Sequence, residues 1–88
     1  MQVTFRASFG RDLKKIKDQR LPDRIREAIE GIEQATVLDD VCDLKKLSGF
    51  TEFYRLRVGD YRIGIVLDGG RLEFVRCLPR REIYRLFP

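Results

Sequence analysis

Three arginines, Arg55, Arg57 and Arg62, flank a Gly59-Asp60 step in the stretch FYRLRVGDYRI, a spacing that gathers their side chains if the stretch folds back on itself. A guanidinium group is a planar fork of donors that stays protonated throughout the physiological range, so it suits two-point capture of phosphate. The surrounding composition strengthens that reading. Phe53 to Pro88 holds eight arginines, no lysine and four acidic residues, whereas Met1 to Glu52 holds ten basic and ten acidic residues, so the net charge of +4 lies entirely in the later segment. Arg76, Arg80, Arg81 and Tyr84 are further candidates there for binding an anion or moving a proton. The chain contains no histidine. That excludes histidine-based nuclease chemistry, the Ser-His-Asp triad and most zinc sites. Cys42 and Cys77 lack metal-ligand spacing and read as two reduced, partly buried thiols, so neither a metal nor another cofactor is expected.

The elements that must position these groups are strands. Phe53 to Val58, Tyr61 to Leu67 and Arg71 to Leu78 alternate with a period of two, and Gly59-Asp60 and Gly69-Gly70 are two-residue hairpin turns. The first turn pairs Val58 with Tyr61, Arg57 with Arg62, Leu56 with Ile63, Arg55 with Gly64 and Tyr54 with Ile65. Tyr54, Leu56, Val58, Tyr61, Ile63, Ile65 and Leu67 then form an apolar face, and Arg55, Arg57 and Arg62 share the other. Two facing arginines repel by up to roughly 1 kcal/mol relative to a neutral pair, and a bound phosphate would relieve this. Gly64, opposite Arg55, leaves the sheet open to a close approach. Continuing through Gly69-Gly70 pairs Leu67 with Leu72, Ile65 with Phe74, Gly64 with Val75 and Arg62 with Cys77, with Arg80 and Arg81 just beyond; a bulge at Gly70 would shift this last strand by one. The bland alternative is a solvated sheet face screened by Asp60, Asp68, Glu73 and Glu82, but these acids sit mostly at turns.

The earlier half supplies cover for the apolar face. Gln2 to Arg6 reads as a strand, Ser8 as the cap of a helix carrying Phe9, Leu13 and Ile16, and Pro22 as the first turn of a second helix with the stripe Ile25, Ala28, Ile29 and Ile32. The two form an αα-hairpin. Lys14, Lys15 and Lys17 read as a solvated face. A connector from Ala35 to Thr51 pins Val37, Val41, Leu44 and Leu47 to the core and ends in a Ser48-Gly49 turn. The tail PRREIYRLFP forms one helical turn or lies across the sheet. The expected fold is α+β: an N-terminal strand, an αα-hairpin and a three-stranded antiparallel meander in one sheet, with the helices on one face. Residues 1–88 are expected to form one domain, without a membrane span or secretory signal, in the cytoplasm.

The segments KLSGFTEFYRLRVGDYRIGIVLDGG and RREIYR, placed after a strand and two helices, resemble the RelE/ParE toxins of bacterial and archaeal toxin-antitoxin modules. The resemblance to the RelE-like branch implies a ribosome-dependent mRNA endoribonuclease acting in the A site. There the nucleotide's 2′-hydroxyl attacks the adjacent phosphate, giving a 2′,3′-cyclic phosphate and a 5′-hydroxyl. By position it assigns Arg57, Arg62, Arg81 and Tyr84 to catalysis and Arg55, Arg76 and Arg80 to substrate binding, with Arg80 or Arg81 at the leaving group. Tyr84 is either the base or an aromatic packed with Ile83, Leu86 and Phe87. Pro79 stands where many relatives carry a histidine. The implied partner is a cognate antitoxin of the RelB type, whose acidic or amphipathic segment covers the basic surface. Two other readings compete: a ParE-like inhibitor of DNA gyrase, and a non-catalytic module that binds RNA or antitoxin through the arginines alone.

Overall fold

A computed structural model describes residues 1–49 and 52–88; Phe50 and Thr51, which end the expected connector, lie outside the described residues. The elements in chain order are β1 (Gln2–Phe5), α1 (Ala7–Lys14), α2 (Leu21–Gln34), a single 3-10 turn at Leu38–Asp40, β2 (Leu44–Lys46), β3 (Phe53–Val58), β4 (Tyr61–Asp68), β5 (Arg71–Pro79) and α3 (Arg80–Leu86). Among the described residues five strands form one sheet in the order β1-β5-β4-β3-β2, with β1 parallel to β5 and the other pairs antiparallel. The expected meander is therefore extended on both sides. The strand β2 comes from within the connector, where the three residues Leu44-Lys45-Lys46 are too few, and too irregular, for a period of two to register.

The β3–β4 register is the predicted one, pair for pair, from Val58↔Tyr61 through Arg57↔Arg62 to Tyr54↔Ile65. Gly59, at φ +59, supplies the positive angle its tight turn needs. The β4–β5 ladder departs from expectation halfway. Leu67↔Leu72 and Ile65↔Phe74 hold, but a bulge then gives Gly64↔Arg76 and Arg62↔Leu78 in place of Gly64 with Val75 and Arg62 with Cys77. The apolar residues explain it. Phe74 and Cys77 are three apart and both enter the core beneath α1 and α2, while Val75 and Leu78 enter a second cluster. Strict alternation would place each pair on opposite faces, and one extra residue at Val75 resolves the conflict.

The main core joins Phe9, Leu21, Ile25 and Ile32 from the helices to Leu56, Ile63, Ile65, Leu72, Phe74 and Cys77 from the sheet, with Tyr54, Tyr61 and Leu67 packed against it. Each fully buried large side chain of this kind contributes about 1.5–3 kcal/mol. The second cluster, on the other face, consists of Leu47, Val75, Leu78, Ile83 and Phe87. It holds α3, so the tail forms a helix on the face opposite α1 and α2. Ser8 does not cap α1. The flanking residue is Arg6, and the Ser8 hydroxyl instead donates to the Val75 carbonyl at 2.6 Å, steadying the bulge. Pro22 lies in the first turn of α2 as its fixed φ favours. Val37 is half exposed and pins nothing, whereas Leu47 is buried. Among the described residues no helix is long and apolar enough to cross a membrane.

Candidate active site

The β2–β3–β4 ladder places basic groups side by side. Lys45 pairs with Arg55, Arg55 with Gly64, and Arg57 with Arg62, so all project from the face that α1 and α2 leave uncovered. The helix α3 borders this surface, its first N–H, on Arg80, donating to the Asp60 carbonyl of the β3–β4 turn at 2.9 Å. Between them is a hollow of about 360 Å³ lined by Asp43, Leu44, Lys45, Arg55, Arg57, Arg62 and Tyr84.

Each arginine in it has a partner within the protein. The Arg55 guanidinium carbon lies 4.5 Å from the centroid of the Tyr84 ring, a cation–π contact that fixes both groups. Arg62 donates through Nη1 to the carbonyls of Gly59 and Tyr61, each at 2.9 Å. Arg57 donates through Nη2 to Asp43 Oδ1 at 2.7 Å. The facing arginines are thus separated by acceptors of the protein itself, and no phosphate is required to explain them. Tyr84 is 56% exposed. Its phenol is held below its ordinary value, foremost by hydrogen bonding from Arg80, which outweighs the opposing desolvation, and further by the positive charges of Arg80, Arg55 and Arg62. The arrangement can seat an anion of phosphate size beside an acidified phenol.

The structure therefore brings Arg55, Arg57, Arg62 and Tyr84 together, with Arg80 beside the tyrosine. Arg80 and Arg81 are both exposed and neither lines the hollow; Arg80 acts on it only through the tyrosine. Arg76 is engaged elsewhere: its Nε and Nη2 donate to the two oxygens of Asp12 at 2.8 and 3.1 Å. The Asp12 carboxylate, only 4% exposed, also accepts the Cys77 N–H at 2.9 Å, a β5 group that lies beyond the reach of β1. Burial forces this pairing, because an unpartnered carboxylate and strand N–H there would be costly. Gly64 does not open the sheet to a ligand. A Cβ at Gly64 would lie 2.6 Å from the Phe87 ring, so the missing side chain makes room for α3. Tyr61 packs with the core and its phenol is raised, chiefly by burial and then by nearby Cys77, Glu82 and Asp18. Cys42 is exposed rather than partly buried, and Cys77 is buried. Sequence reasoning missed Asp43 and Lys45, whose position in the hollow follows from β2, an element too short to recognise.

Comparison with known proteins accords with this architecture. The family described as ParE toxin of type II toxin-antitoxin system, parDE, matches residues 3–84. Toxin RelE3 of Methanocaldococcus jannaschii is 40% identical over 89 residues, covering 100% of both chains. Among solved structures, the RelB-RelE antitoxin-toxin complex from Methanococcus jannaschii matches with a TM-score of 0.80 and 38% identity, over 97% of this chain and 99% of that one. The archaeal RelE-RelB complex from Pyrococcus horikoshii matches with a TM-score of 0.72 over 90% of this chain and 93% of that one, and at 23% identity it supports the fold alone. With the strand-helix-helix start, the arginine-bearing hairpin and the closing tyrosine helix all in place, the chain belongs to the RelE/ParE superfamily of toxins from type II toxin-antitoxin systems.

Proposed function

We propose that this toxin is a ribosome-dependent endoribonuclease that cuts messenger RNA in the A site. The observation that carries the reading is Tyr84: an exposed phenol with Arg55 on its ring, its proton affinity lowered foremost by Arg80, lining a basic hollow large enough to admit a phosphate and its sugar. In the reaction the 2′-oxygen of a nucleotide forms a bond to the adjacent phosphorus as the bond from phosphorus to the 5′-oxygen breaks. The 2′-proton passes to the Tyr84 phenolate, and the departing 5′-oxygen takes a proton from solvent. Arg57 and Arg62 neutralise the charge growing on the phosphate, Arg55 orients the tyrosine, and Arg80 lowers its proton affinity. Fixed cations aimed at developing charge supply catalysis without moving during the step. Arg81, one position further along α3, contacts RNA outside the hollow.

The partner is an antitoxin of the RelB type whose acidic or amphipathic segment lies over the basic hollow. This is supported by a relative, 38% identical, that was solved as a RelB-RelE antitoxin-toxin complex. The test is inducible expression with mapping of mRNA 5′ ends. Wild type should generate new ends within codons, and Arg57→Ala and Tyr84→Phe should each suppress them. A binding module would lose affinity with Arg57→Ala and tolerate Tyr84→Phe. Growth arrest with intact mRNA would overturn the proposal and favour gyrase as target.

A further inference from the structure

Asp43 is the one acid among the seven residues that line the hollow, and it sits on Arg57. Two bonds join the pair. The Asp43 carboxylate accepts from Arg57 Nη2 at 2.7 Å, and its backbone carbonyl accepts the Arg57 N–H at 3.0 Å. To make both, Asp43 adopts φ +64, the single left-handed non-glycine conformation among the described residues. Such a conformation costs free energy in an ordinary residue and is tolerated best by Asn, Asp and Gly.

The three central arginines differ in what holds them. Arg55 lies on an aromatic ring and Arg62 on two backbone carbonyls, partners without net charge that leave the guanidinium's attraction for an anion intact. Arg57 alone of the three is met by a full negative charge. Both members of that pair are open to solvent, at 61% and 47% exposure, so the bond is weak enough for an incoming anion to displace.

We infer that Asp43 competes with RNA phosphate for Arg57 and so sets the affinity of the hollow, an inference that takes its ligand from the ribonuclease reading. Phosphate bound at Arg57 must either displace the carboxylate or lie beside it, and either course weakens binding. An RNA strand held only by its backbone is penalised, whereas one that also engages Tyr84 and the remaining cations is retained.

The test measures binding of a short single-stranded RNA made uncleavable by 2′-deoxy substitution, using wild type, Asp43→Asn, Arg57→Ala and the double variant. Asp43→Asn keeps the shape and the left-handed preference while removing the charge, and Asp43→Gly provides a second route to the same loss. Both should tighten binding by about three- to fivefold, the upper range for releasing an exposed ion pair. The salt dependence should steepen by up to about 0.7 for one further neutralised phosphate. Neither change should appear when Arg57 is alanine. Unchanged or weaker binding by both Asp43 variants, or an equal gain without Arg57, overturns the inference. Cleavage of the all-RNA strand on ribosomes, run in parallel, separates the two readings. Tighter binding through Arg57 with no cutting by wild type removes the ribonuclease and keeps Asp43's role. Cutting by wild type with no response to either Asp43 variant does the reverse, and no RNA binding by any form together with no cutting on ribosomes removes both.

Discussion

Tyr84 can accept a proton only as the phenolate, so the direction of its shift decides how the rate should depend on pH. Arg80, by hydrogen bonding and by charge, favours the ionised form, as do Arg55 and Arg62. The single-turnover cleavage rate should therefore rise with pH and level off below the value near 10 of an ordinary tyrosine. Arg80→Ala should move that inflection upward, and an inflection that stays put would remove Arg80 from the role. The cysteines give a second residue-scale contrast. Burial, and then the charge of Asp12, push the Cys77 thiol up to about 12, whereas Cys42 is exposed. Only a thiolate reacts readily with alkylating agents. Iodoacetamide at neutral pH should thus modify one thiol of the native protein and two after denaturation, as mass spectrometry would show. Asp12 itself holds both Arg76 and the Cys77 N–H. Asp12→Ala leaves both without their acceptor and should cost about 3–5 kcal/mol in urea unfolding, the range for breaking a buried pair.

At the scale of elements, α3 is the part that delivers Tyr84, and it is held by a cluster separate from the main core. Ile83 and Phe87 are its anchors, and the Phe87 ring rests against Gly64. Gly64→Ala puts a methyl group where the ring is, so the ring and the end of α3 must shift. Overpacking of this kind costs about 1–3 kcal/mol. Because the strain falls beside the tyrosine, cleavage should drop by a larger factor than global stability, and hydrogen exchange should accelerate in α3 before it does in β4. Equal protection of α3 in both proteins would show that the ring accommodates the change. Much of this architecture was legible in the chain. Alternation with well-formed turns specified the β3–β4 hairpin and hence the grouping of Arg55, Arg57 and Arg62 on one face. Regular alternation could not reveal the bulge, which arises from where Val75 and Leu78 find cover, nor the Phe87 ring that turns Gly64 from a supposed opening into a packing site. Arg76 resembled its neighbours in sequence, and only the approach of Asp12 from α1 distinguished it.

For the molecule as a whole, the position of charge should outweigh its sum. Arg71 is exposed at the start of β5, beside Asp68 and Glu73 and away from the hollow. Arg71→Gln and Arg57→Gln lower the net charge equally. Cleavage should fall by at least about tenfold with the second, on the scale of losing one charge-stabilising donor, and by less than twofold with the first. Comparable losses would mean that general attraction for a polyanion, rather than the built hollow, governs the reaction. The parallel seam between β1 and β5 bears on how such a toxin comes into being. Gln2 lies against Arg71 across the sheet, so the opening strand leaves the translating ribosome long before its neighbour exists. The αα-hairpin can gather early, but the sheet cannot close until β5 emerges, and Tyr84 follows later still. A nascent chain thus lacks the finished hollow while most of it is being made, and Arg55, Arg57 and Arg62 meet Tyr84 only once the last strand and helix are released.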